Sequence, residues 1–148
     1  MNMATIDDLL KDAREKPSPD DRLTAYREAD RVAAEAGTKG SLSTAFNYAA
    51  HQVAQAYIDK AKQNYPTPEE KLAAYDRADE VAREIGIRKQ LPLSFNNLAL
   101  DVMQAYFDRL RQPFAAPAER TELYKAAQGV AKKLGLKDKL DLALNELR

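Results

Sequence analysis

A chain of 148 residues suffices for one ordinary domain, and 45% apolar residues can build a substantial core if the pattern places them well. Lysine plus arginine number 23 and aspartate plus glutamate number 23, so no chain-wide field draws nucleic acid or an anionic membrane surface. There is no cysteine, which removes disulfides, thiolate nucleophiles and cysteine metal sites and fits a reducing compartment. The opening stretch MNMATIDDLLKDAREK has acids where a signal peptide has a basic region and an apolar run, and no segment has transmembrane length. We expect a cytoplasmic protein with no membrane insertion. Few aromatic residues beside abundant alanine favour helices over strands.

Residues 5 to 15 place Ile6, Leu9, Leu10 and Ala13 at helical spacing, which predicts a short amphipathic capping helix with Asp7 and Asp8 near its positive end. Ser18, Pro19, Asp20 and Asp21 then supply a cap, a first-turn proline and dipole-favoured acids. From 19 to 36 the positions Leu23, Tyr26, Ala29, Val32, Ala33 and Ala36 follow the 3.6 period, and Gly37 suits the left-handed residue that ends a helix. A longer helix is predicted over about 41 to 63, with Leu42, Ala45, Phe46, Ala49, Val53, Ala56 and Tyr57 as its buried stripe. Adding 49 returns the same residue types: Tyr26, Tyr75 and Tyr124; Ala29, Ala78 and Ala127; Val32, Val81 and Val130; Gly37, Gly86 and Gly135.

The second copy starts at Thr67-Pro68-Glu69-Glu70, which has capping-box spacing, and its long helix over about 91 to 112 buries Leu91, Phe95, Leu98, Val102, Ala105, Tyr106 and Leu110. The third start, Ala116-Pro117-Ala118-Glu119, lacks the hydroxyl and should cap more weakly. Phe114, in the loop before it, is expected to tuck against a neighbouring helix, with a partner contact as the alternative. A period in this range marks a supersecondary unit that cannot bury its apolar face alone. The prediction is one all-α domain over 1 to 148, with antiparallel helical hairpins stacked as a short right-handed solenoid of six to seven helices. Its units span about 17 to 65, 66 to 114 and a partial 115 to 148.

The pattern resembles the tetratricopeptide repeat superfamily, in a variant with long helices. Asn97-Leu98-Ala99 is similar to that family's Asn-Leu-Gly or Asn-Leu-Ala. Tyr124 and Ala127 match its aromatic and alanine three apart, and Leu134-Gly135 its closing pair. Tyr26 with Ala29 and Tyr75 with Ala78 repeat the spacing. Two features depart from the family: the unit is longer, and Arg22, Lys71 and Arg120 stand where its usual alanine precedes the aromatic. The resemblance implies a curved stack whose inner face binds a peptide or protein segment, as related folds do with helix asparagines.

Asn47 and Gln55, eight residues apart, recur as Asn96 and Gln104, with His51 and Leu100 at the intermediate turn and Asn145 in the third copy. Carboxamides both donate and accept, so a ladder of them can hold a partner's main chain without demanding its sequence. A structural role is the alternative, with the amides bridging to a neighbouring loop or helix. His51 is the sole histidine, which leaves no metal set, and no phosphate loop or catalytic constellation stands out. Charged residues such as Arg27, Glu28, Asp30 and Arg31 read as a solvated helix face.

The functional expectation is a protein- or peptide-binding scaffold without enzymatic activity or cofactor. The alternative is a self-assembling structural protein. Residues 138 to 148 align with the first half of a long helix and the opening helix with the second half, so one copy could continue another head to tail as a homo-oligomer. A shift of 49 nevertheless sets Ala4 and Asp8 against Val53 and Tyr57, which displaces the apolar stripe.

Overall fold

The computed structural model describes residues 3 to 148, with side chains from Thr5 onward. Ala4, the predicted counterpart of Val53, thus has its side chain outside the described residues. Seven α-helices follow one another: α1 Met3–Glu15, α2 Pro19–Ala36, α3 Ser43–Ala61, α4 Pro68–Glu84, α5 Pro92–Leu110, α6 Pro117–Lys133 and α7 Lys137–Glu146. No strand occurs among the described residues. The protein is all-α.

The two long helices begin later than the periodicity suggests, because a 3-10 turn precedes each, Gly40–Leu42 and Arg88–Gln90. Leu42 at φ −109°, ψ 17° and Leu91 at φ −124°, ψ 41° lie outside helical geometry. Pro92 then opens α5 at a position where no N–H is needed. At the other helix starts the capping chemistry works as expected. Ser18 accepts from the Asp21 N–H at 3.4 Å and Thr67 from the Glu70 N–H at 3.2 Å. The Thr67 hydroxyl also donates to the Glu70 carboxylate at 3.1 Å. Ala116 has the same extended backbone and no side-chain cap. Gly37, Gly86 and Gly135 have φ of 69°, 77° and 72°. The N–H after each returns to a carbonyl inside the helix, from Thr38, Ile87 and Leu136 to Ala33, Ala82 and Ala131.

Each long helix has packed neighbours on more than one side: α3 touches α1, α2, α4 and α5. Its buried surface is therefore broader than one stripe. Ala50, Ala54, Ile58 and Ala61 join the core, as do Ala99, Met103 and Phe107 of α5, whereas Ala45, Ala56 and Ala105 are only half-buried. In α1, Ile6, Leu10 and Ala13 are buried and stand 48 residues before Ala54, Ile58 and Ala61. The displaced stripe predicted there is corrected by a spacing from Ala13 to Pro19 that is one residue shorter than that from Ala61 to Pro68. With that shift α1 covers α2 as the second half of α3 covers α4.

Three devices repeat with the unit. Tyr26 meets Phe46 edge-on at 5.7 Å and Tyr75 meets Phe95 at 5.9 Å, both at 84°. Beside each pair a cation joins the loop to the second helix. Lys39 pairs with Asp30 and lies 5.6 Å over Phe46, and Arg88 pairs with Asp79 at 2.5 Å and lies 3.9 Å over Phe95. Asp30 and Asp79 are thus half-buried partners, which corrects the reading of Asp30 as part of a solvated face.

The second device gives a role to the cations that recur at positions 22, 71 and 120. Lys71, only 8% exposed, donates to the carbonyls of Ala61 and Gln63 at 3.0 and 2.8 Å, which ends α3. Arg22 does the same for Lys16 at 2.6 Å, just past α1, and Arg120 for Leu110 at 3.3 Å, the end of α5. The third device links α2, α4 and α6. Arg27 donates to Glu84 at 2.8 Å, and Lys133 to Asp76 at 2.9 Å, each pair 57 residues apart with the charges exchanged.

Candidate functional site

The six predicted residues share the solvent-facing side of α3, α5 and α7, but their surroundings differ. The 3-10 turn Arg88–Gln90 that precedes α5 places Gln90 against α3. His51 Nε2 donates to Gln90 Oε1 at 2.9 Å, and Gln90 Nε2 donates to Asn47 Oδ1 at 3.3 Å. This bridge fulfils the structural role for Asn47 and His51, since it ties the entry of α5 to α3. Gln55 donates to Asp59 and Gln104 to Asp108, both at 2.8 Å, one turn along their own helices.

Asn96 and Asn145 are exposed and make no side-chain hydrogen bond among the described residues. Their amides are free to donate and accept. Beside each stands a leucine three residues earlier, Leu93 at 75% and Leu142 at 80% exposure. Leu93 and Leu142 are one unit apart, as are Asn96 and Asn145. Leu100, 40% exposed, continues the side of α5 that carries Leu93 and Asn96. In α3 the matching positions are polar, Thr44 and His51, and the exposed apolar residue is Tyr48 at 57%. Arg14 of α1 lies 5.7 Å over that ring.

The amide face runs into a cleft of about 440 Å³ lined by Gln104, Asp101 and Asp108 of α5 and by Tyr65, Thr67 and Lys71 on the opposite wall. A second cleft, of about 400 Å³, has the equivalent residues of the first unit, including Pro17, Arg22, Ala56 and Asp59. Lys71 is engaged by helix-end carbonyls, and Arg109 lies 4.1 Å over Phe114, which tucks against the core as expected. No group of three or more His, Asp or Glu side chains is placed to hold a metal ion among the described residues. None of the described helices is long and apolar enough to cross a membrane.

Leu93, Leu142 and Tyr48 were not among the predicted site residues. The signal for the leucines was present, because Leu93 lies off the buried stripe of Leu91, Phe95 and Leu98 and recurs 49 residues later. Buried leucines dominate such helices, and only the surface position of this pair sets it apart.

Comparison of the chain with protein-family models, curated proteins and solved structures found no match.

Proposed function

We propose that this is a binding module built from helical hairpins in the manner of tetratricopeptide repeats, and that the exposed side of α3, α5 and α7 receives an extended protein or peptide segment. One observation carries the reading: the recurrence of an exposed leucine and an unpaired asparagine at equivalent positions of two successive units. Isolated exposed leucines need no explanation, but a pair repeated with the period of the fold does. Leucine surface favours a partner's apolar side chains, and asparagine can pair with its main chain.

Self-assembly through the ends is less well supported by the residues there. Ile85 and Ile87, and Leu134 and Leu136, are the apolar residues that flank the glycine after α4 and α6, and the first unit has Ala36 and Thr38 instead. Thr38 leaves a buried hydroxyl oxygen without a hydrogen-bond partner. At the other end, Leu23 and Leu72 give way to the exposed Thr121.

Display of random ten-residue peptides against the protein tests the reading. Enriched peptides should bind the wild type, and Asn96→Ala combined with Leu93→Ser should weaken them at least about tenfold with unchanged helical content. Binders insensitive to this double variant would place the site elsewhere.

A further inference from the structure

The spacing of this face narrows the partner's backbone. Resting on the peptide-binding reading, we infer that the segment it receives is held as a polyproline-II helix, with apolar side chains three residues apart meeting Leu93 and Leu142. Charges of both signs surround these leucines, Lys89 and Asp101 in one unit and Lys139 and Glu146 in the next, so position discriminates here and sign does not. Leu93 with Asn96, and Leu142 with Asn145, are equivalent pairs, each three residues apart on one side of its helix. The line that joins the pairs therefore runs across the helices, from α5 to α7. Toward α3 it stops, because Thr44 stands in place of the leucine and Gln90 holds Asn47.

The step between units selects the backbone. α3 and α5 pack directly on one another, and α7 lies on α6 as α5 lies on α4. Packed helices sit about 8 to 10 Å apart, which sets the distance from one leucine–asparagine pair to the next. A β-strand turns alternate side chains to one face, at steps of about 7 and then about 13 Å. Neither step matches. A polyproline-II helix turns every third side chain to one face, at a step of about 9 Å. An α-helix also sets residues seven apart about 10.5 Å from each other, but its main chain is bonded to itself. It would leave both asparagines without a partner. In polyproline II every N–H and C=O stays open, and the exposed Asn96 and Asn145 carboxamides, which make no side-chain hydrogen bond among the described residues, can donate to and accept from them. A stiff segment of this kind also loses little conformational freedom on binding.

Fluorescent ten-residue peptides of serine and glutamine, carrying two leucines set two, three, four or seven residues apart, provide the test, by anisotropy against the full chain. The three-apart peptide should bind about tenfold tighter than the others, because it alone engages both leucines of the protein. Placing two prolines between its leucines should tighten it further, and placing two glycines there should weaken it. Leu142→Ser, at a position 80% exposed, should erase the advantage of the three-apart spacing while the melting curve stays the same. Equal binding at every spacing, or a preference for seven apart, with Asn96→Ala still weakening the peptides, would overturn the polyproline-II geometry and leave the binding face in place. Absence of binding by every peptide, or binding unmoved by both Leu142→Ser and Asn96→Ala, would overturn both.

Discussion

At the residue scale, the tyrosines report how the core is closed. The Tyr57 hydroxyl donates to Asp20 across α3 and α2. Burial, and then that bond and the charge of Asp20, push its pKa up to about 12, against the opposing pull of Arg77, which lies 5.5 Å over the ring. Tyr106 is also pushed up to about 12, by burial first and then by Glu69 and Asp76. Glu69 stands one unit after Asp20, so the same position serves both rings. Tyr26 and Tyr75 shift in the same direction, mainly through burial. The folded protein holds these protons more tightly than the unfolded chain, whose tyrosines titrate near about 10. Their contribution is therefore present in full below about pH 10 and is lost as pH rises toward 12. Urea midpoints measured from pH 9 to pH 12 should fall over that window, and Asp20→Ala should let one tyrosine ionise earlier in the ultraviolet absorbance titration. A flat profile would contradict the burial assigned to these rings.

At the element scale, the three copies are not equally well built. The first two have a capping hydroxyl, an aromatic pair and an acid–cation clasp; the third has Ala116, Leu144 at the position of Phe46 and Phe95, and Gln128 where the acids Asp30 and Asp79 stand. Ala116 already has the cap's extended backbone, φ −136° and ψ 142°, close to φ −130° and ψ 151° at Thr67. Ala116→Thr should then let a hydroxyl accept from the Glu119 N–H and stabilise the protein by about 1 kcal/mol. Denaturant melts of the two proteins would measure it. No gain would mean that α6 is held by its packing and that the Glu119 N–H keeps its existing bond to the Ala116 carbonyl, at 3.1 Å.

At the scale of the whole molecule, the stack is locked by contacts between units that differ in kind along its length. Alternating polarity in Arg27–Glu84 and Asp76–Lys133 gives α4 an acid on both of its flanks and its neighbours a base. These pairs are exposed, so each is worth about 0 to 1 kcal/mol, and their value lies in discouraging wrong neighbours. The polar residues at the two ends predict a monomer. Light scattering should return a mass near 16.5 kDa at every concentration. A mass that grows with concentration would revive head-to-tail assembly through α1 and α7.

The period of 49, the glycine stops and the serine and threonine caps were readable from residue order, because each acts over one helical turn or recurs at a fixed distance along the chain. They define an all-α repeat and place the amide positions on one side of its long helices. Periodicity alone could not tell which of two equivalent amides is free. Asn47 and Asn96 look alike in the chain, and only the approach of Gln90 from 43 residues away occupies the first and leaves the second open. The roles of Lys71, Arg88 and the exposed Leu93 have the same origin. A cation, or a leucine, takes its meaning from the carbonyl, ring or solvent that folding brings beside it, and those neighbours lie outside any local window of sequence.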